Sequence, residues 1–143
     1  MDNRSANRRS AGFTLIELLV VLLILGMIAG IAGPQVMNYL DDSKTKAAKL
    51  QIEEFGNALD LFKLDVGRYP TAQEGLQALV QAPPAGERWR GPYLKKKNLP
   101  KDPWGNDYQY AFPGKHGAFD IVALGSDGRE GGDGAARDVA SWE

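Results

Sequence analysis

The chain has 143 residues, with 17 basic and 18 acidic side chains and a formal net charge of -1. That length suits one modest domain, and the charge balance argues against a nucleic-acid binder, which carries a basic excess. The lack of cysteine excludes disulfides and thiolate metal sites, and a single histidine excludes a multi-histidine metal centre.

Residues 1–12 are polar and carry Arg4, Arg8 and Arg9 against Asp2. From Phe13 to Ala32 follows a run of twenty residues whose apolar character is broken only by Thr14 and Glu17. As a helix it rises about 30 Å, the thickness of a bilayer's hydrocarbon core. The arginine flank predicts that the N-terminus stays cytoplasmic while the rest crosses. A cleaved secretory signal would have an apolar stretch of roughly 7–15 residues, shorter than this one. An Ala-x-Ala-like cleavage site near Ile28–Ala32 keeps that reading open, beside a plain anchor and a segment whose design explains Glu17. An acidic side chain at the centre of a spanning helix costs about 2.5–3.5 kcal/mol, less near an end. Either Glu17 stays wet at the interface, or a group from outside the segment neutralises it. A cut before Phe13 would create an α-ammonium four residues from Glu17, able to meet the Glu17 of a neighbouring identical helix.

Pro34 removes a backbone donor and crowds the preceding turn, and Gly26, Gly30 and Gly33 lie beside it. Gly26–Pro34 is therefore the weakest stretch of the predicted helix, the part expected to bend or melt on assembly. Beyond it, Ala48, Ile52, Phe55, Leu59, Phe62 and Val66 recur at helical spacing. Charged residues fill the other faces, so the helix continues as an amphipathic one to Val66, with Gly67 as terminator. Thr71 and Glu74 form a capping-box pattern, which predicts a short second helix with Leu76, Leu79 and Val80 on one face, stopped by Pro83-Pro84. Residues 82–107 read as a long loop. Its run Lys95-Lys96-Lys97 is either an acidic-partner site or a solvated face. Tyr108, Tyr110 and Phe112 alternate as a strand, and Phe119–Leu124 gives its hairpin partner. His116, in the turn between them, has no serine or cysteine partner identifiable in the sequence. Gly131-Gly132-Asp133-Gly134 lacks the lysine and helix context of a phosphate loop.

Two sets of residues carry a family resemblance. Gly12-Phe13-Thr14-Leu15-Ile16-Glu17-Leu18, behind a basic leader, resembles the class III signal of type IV pilins and pseudopilins. Gly67-Arg68-Tyr69-Pro70-Thr71, Glu74–Leu79, Asp102–Tyr110 and Leu124-Gly125-Ser126-Asp127-Gly128 are similar to the major pseudopilins of type II secretion systems. The resemblance implies cleavage by a prepilin peptidase between Gly12 and Phe13, N-methylation of Phe13, and pairing of Phe13 with Glu17 during assembly. It implies a pilin-like α+β fold: residues 1–12 a leader peptide, 13–33 a transmembrane and filament-core helix, 34–143 an amphipathic helix and periplasmic head. The head would hold the second helix, a β-hairpin or small sheet, and a metal-binding C-terminal loop. The implied function is structural and not enzymatic: a self-polymer, the pseudopilus, that works with minor pseudopilins and an inner-membrane secretion platform to export folded proteins. An adhesion or motility pilin is the alternative, although such pilins commonly close their C-terminal loop with a disulfide that this chain cannot form. A membrane-anchored enzyme with an acidic metal-dependent site is a further one.

The C-terminal loop itself places Asp127, Glu130, Asp133 and Asp138 among Gly125, Gly128, Gly131, Gly132 and Gly134. Such a loop is either a solvated turn or a cation site. Ca²⁺ suits it, taking six to eight oxygen ligands at about 2.3–2.6 Å, backbone carbonyls included, but the spacing is not that of an EF-hand. The resemblance implies calcium here, held by the Leu124 carbonyl, Ser126, Asp127 and Asp138. Asp133 is a further candidate whose match depends on loop length, which varies in the family, and Arg137 stands where some relatives have another acidic residue.

Overall fold

The computed structural model describes residues 12–143. Most of the predicted leader, including its three arginines, lies outside them. The chain divides into two compact units, one through Asn38 and one from Tyr39 to Glu143.

Helix α1 (Leu15–Val66) has 52 residues and contains Pro34. The helix runs through the proline. A proline crowds the carbonyl four residues earlier, here that of Gly30, and a Cβ added at Gly26, Gly30 or Gly33 would meet nothing within 4 Å. The C-terminus is closed by Gly67, which takes φ 88° and donates its N–H to the Lys63 carbonyl at 2.8 Å. That left-handed cap suits glycine because it has no Cβ to clash.

In the second unit the predicted stripe faces a core. Ala48, Ile52, Phe55, Leu59 and Phe62 are buried, and Ala58 joins them. Val66 packs at the edge. Phe55 meets Tyr108 edge-to-face with ring centroids 5.0 Å apart, and Phe62 meets Tyr93 at 5.8 Å. Each fully buried phenylalanine is worth about 1.5–3 kcal/mol of transfer free energy, so this short stripe carries much of the head's stability.

The expected second helix is not an α-helix. The capping box forms: Thr71 N–H donates to Glu74 Oε2 at 2.8 Å and Glu74 N–H donates to Thr71 Oγ1 at 3.2 Å. It closes one turn only, because Gly75 takes φ 58° and ψ -164° and turns the chain out of helical geometry. A four-residue 3-10 helix, Leu76–Leu79, follows and buries Leu76, Ala78 and Leu79. The Arg68 guanidinium grips Glu74 through two N–H donors, at 2.6 and 2.8 Å, and holds its carboxyl down at about 2. The loop after it is tied down as well. Trp89 Nε1 donates to the Ala78 carbonyl and Tyr93 N–H to that of Leu79, both at 2.8 Å.

The predicted hairpin is β1 (Gln109–Ala111) and β2 (Asp120–Ala123), antiparallel with Tyr110 opposite Ile121. A third strand, β3 (Val139–Ala140), pairs antiparallel with β2 and completes a sheet of order β1-β2-β3. Two residues are too few to show alternation in the sequence. Ile121, Ala123 and Val139 are buried in the same core as the α1 stripe. This sheet brings the ends of the acidic loop together, Leu124 leaving β2 and Asp138 entering β3.

Candidate functional site

The first set of functional residues lies at the start of α1. Gly12 and Phe13 precede the helix, and Phe13 is 80% exposed. Thr14 and Glu17 face each other across the first turn. Thr14 N–H approaches Glu17 Oε2 at 3.5 Å and Glu17 N–H donates to Thr14 Oγ1 at 3.3 Å. This is a loose capping box, and its Thr-x-x-Glu spacing was readable in the sequence. It gives Glu17 a role within its own chain, as a carboxylate at the positive end of the helix dipole. The same helix contains an 18-residue window of mean hydropathy 2.8, none of it buried within the chain. Leu15, Ile16, Leu19, Leu22 and Leu23 are all more than half exposed. An apolar surface of that extent marks a membrane or interaction surface.

The second set is the C-terminal loop. The Leu124 carbonyl accepts from Gly128 N–H at 3.1 Å, and Ser126 N–H crosses the loop to the Ala135 carbonyl at 2.9 Å. Asp138 Oδ2 accepts from Gly131 N–H at 2.8 Å. Its other oxygen, Oδ1, is buried and has no hydrogen-bond partner. Asp127 is exposed and accepts from Arg129 N–H at 3.1 Å. Asp133 is exposed with an extended backbone, and its carbonyl starts the 3-10 turn Gly134–Ala136. The two halves of the loop pass close together. A Cβ on Gly125 would lie 2.5 Å from the Ala136 carbonyl oxygen, and one on Gly132 would lie 2.6 Å from it. Both glycines have positive φ, 52° and 97°, so no other residue fits these positions without strain.

The five predicted ligand positions therefore share one loop. Among the described residues no three acidic or histidine side chains converge on a common centre. Asp138 Oδ1 is the loop's buried oxygen without a hydrogen-bond partner, and an unpaired buried carboxylate oxygen is costly. The Leu124 carbonyl and the Ser126 hydroxyl are oxygen donors of the kind a hard cation takes. The donor chemistry fits calcium with more neutral oxygens and fewer carboxylates than the acidic composition suggested.

Lys95, Lys96 and Lys97 are exposed and form no ion pair among the described residues, as a solvated face would. His116 has a structural place: its Nδ1 lies 3.1 Å from Asp120 Oδ2, and its ring stacks on Trp142 at 3.8 Å. Reading the sequence missed that stack, because Trp142 is remote along the chain. It also missed Asn106, whose side-chain Nδ2 donates to the Gly125 carbonyl at 3.1 Å, 19 residues away.

Comparison with known proteins follows the same division of the chain. The sequence model described as the prokaryotic N-terminal methylation motif matches residues 7–33, and that described as type II secretion system (T2SS), protein G, matches residues 35–142. A relative from Pseudomonas aeruginosa, type II secretion system core protein G, is 48% identical over 95% of this chain and 97% of its own. The protein of the same name from Vibrio cholerae is 45% identical over 94% and 93%. The crystal structure of the major pseudopilin from the type 2 secretion system of enterohaemorrhagic Escherichia coli superposes with a TM-score of 0.64. The two sequences are 34% identical, and the match covers 76% of this chain and 95% of that one.

Proposed function

The chain belongs to the type II secretion protein G family, and we propose that it is the repeating structural subunit of a periplasmic pseudopilus whose growth drives folded proteins through the outer membrane. The observation that carries this reading is the union, in one chain, of the methylation motif at residues 7–33 with the protein G head at residues 35–142. The role is mechanical, not catalytic. Before assembly the apolar part of α1 sits in the inner membrane with the head in the periplasm. In the filament the same surface is covered by α1 of other copies. Minor pseudopilins and the inner-membrane platform are the remaining partners.

Prepilin peptidase would cut between Gly12 and Phe13 and methylate the new N-terminus. The Phe13 ammonium of an incoming subunit would then offset the Glu17 carboxylate of a neighbour. That contact would remove most of the penalty of an acidic group in the apolar run. Two variants test the reading in a strain lacking its own major pseudopilin. Gly12→Val should leave full-length precursor in the membrane, because a branched side chain does not fit a peptidase site shaped for glycine. Mass spectrometry showing a normal mature N-terminus would count against the assignment. Glu17→Val should be cut normally yet build filaments poorly, and a wild-type filament yield would remove the intermolecular pair.

The C-terminal loop is the proposed calcium site. A bound calcium ion would offset the charge of Asp138, Asp127 and Asp133, which form no ion pair among the described residues. The Leu124 carbonyl, the Ser126 hydroxyl and Asp138 Oδ1 would hold it, with Asp127 and Asp133 close enough in sequence to join from the exposed side. Gly125 and Gly132 allow the two halves of the loop to approach, and Asp138 ties the loop to β3.

A further inference from the structure

We propose that Asn106, held by Asp102, is a positioning residue that sets the calcium affinity of the C-terminal loop; this rests on the calcium reading above. Asp102 is 5% exposed. Its Oδ1 accepts two backbone N–H groups, from Trp104 at 3.0 Å and from Asn106 at 2.7 Å. Its own N–H donates to the Asn106 carbonyl at 2.8 Å, and its carbonyl accepts from Gly105 N–H at 3.0 Å. Gly105 makes the turn possible with φ 93°. Both backbone groups of Asn106 are thus fixed by one buried residue, and its side chain projects from a rigid base.

That side chain reaches the loop. Asn106 Nδ2 donates to the Gly125 carbonyl at 3.1 Å, and this carbonyl belongs to the peptide plane that ends in Ser126 N–H. Ser126 N–H in turn donates to the Ala135 carbonyl at 2.9 Å. The plane between Gly125 and Ser126 is therefore held at both ends. It lies between two of the proposed ligands, the Leu124 carbonyl on one side and the Ser126 hydroxyl on the other. A Cβ on Gly128 would lie 3.5 Å from Asn106 Oδ1, so the same amide also faces the residue whose N–H holds the Leu124 carbonyl. Five glycines give this loop high backbone entropy. A plane held at both ends before the cation arrives lowers the ordering cost of binding. Groups that orient metal ligands without touching the metal are typically worth about tenfold or more in affinity.

The test uses the full mature chain, residues 13–143, in detergent, stripped of calcium by chelator. Calcium is titrated by calorimetry, and melting is followed with and without it. Asn106→Ala and the bulkier Asn106→Leu should each raise the calcium Kd by about tenfold and shrink the calcium-induced rise in melting temperature. Asp102→Asn, which keeps an acceptor oxygen for the two N–H groups, should bind calcium like the parent. Equal loss of melting temperature with and without calcium, at unchanged Kd, would mark Asn106 as merely structural and overturn the proposal. Asp102→Ala, which removes that acceptor, should weaken calcium binding as the Asn106 variants do, and parent-like binding by Asp102→Ala would overturn the part assigned to Asp102. If the parent chain itself gives no calcium heat, the calcium reading falls and this proposal with it. If the parent binds and both Asn106 variants bind equally, only the proposal falls.

Discussion

The first half of α1 and the head treat apolar side chains in opposite ways. From Leu15 to Leu40 large apolar residues are exposed, Leu15 at 82% and Ile31 at 71%, whereas Phe55, Leu59 and Phe62 in the second half of the same helix are fully buried. The composition of the two stretches explains the contrast. The first is apolar on every side, so no single neighbour within the chain could cover it, and it needs a surrounding phase of lipid or of other copies. The second carries one apolar stripe, which one small sheet and a loop can cover. One continuous helix thus contains a part that folds against its own chain and a part whose surface is satisfied only by what surrounds it.

Mutations at matched positions should break this contrast most visibly. Phe62→Ala removes a fully buried ring and should cost the head about 3–5 kcal/mol, read as a fall in its melting temperature. Leu22→Ala removes a side chain that is 64% exposed and should leave head melting unchanged while lowering filament yield. Similar melting losses for the two variants would mean that the apolar half is not independent of the head.

Within the head, the loop between Leu124 and Asp138 is exposed from Ser126 to Gly134. Calcium at a hundredfold excess over its Kd should add about 2.7 kcal/mol of stability, lost on chelation. Asp138→Ala should reproduce the loss, and magnesium should replace calcium poorly because it demands tighter octahedral geometry. A chelator that leaves melting unchanged, with normal secretion by Asp138→Ala, would make the loop a solvated turn.

The smallest expected effect concerns the Arg68–Glu74 pair. The Arg68 guanidinium lowers the Glu74 carboxyl from 4.5 to about 2, so the folded state binds this proton less readily than the unfolded chain. The stabilisation is complete above about pH 4.5 and is lost as pH falls towards about 2. Because the arginine side chain is 36% exposed, solvent screening holds the contribution to about 1 kcal/mol. Glu74→Gln should flatten that part of the acid-unfolding curve and leave the neutral-pH fold intact. An unchanged acid limb in the variant would show that the pair contributes nothing.

What the residues determined alone was most of what is local along the chain. The apolar run, the Ala48–Phe62 stripe, the Gly67 stop and the Tyr108–Phe112 alternation all became the elements expected of them, because helical and strand periodicities need only near neighbours. The string Gly12–Leu18 behind its basic leader carried a family resemblance, and the capping spacing of Thr14 to Glu17 was readable in the same stretch. Tertiary structure decided the rest. Gly75 cut a helix expected from its capping box down to a 3-10 turn, because a single backbone rotation outweighs the helical preference of four residues. Val139–Ala140 became a strand only because β2 offered it a free edge. In the acidic loop, Asp138 turns one oxygen inward while Asp127 and Asp133 stay exposed. Asn106 met Gly125 across 19 residues. No short-range pattern encodes such meetings, because they depend on where the sheet brings distant backbone groups together.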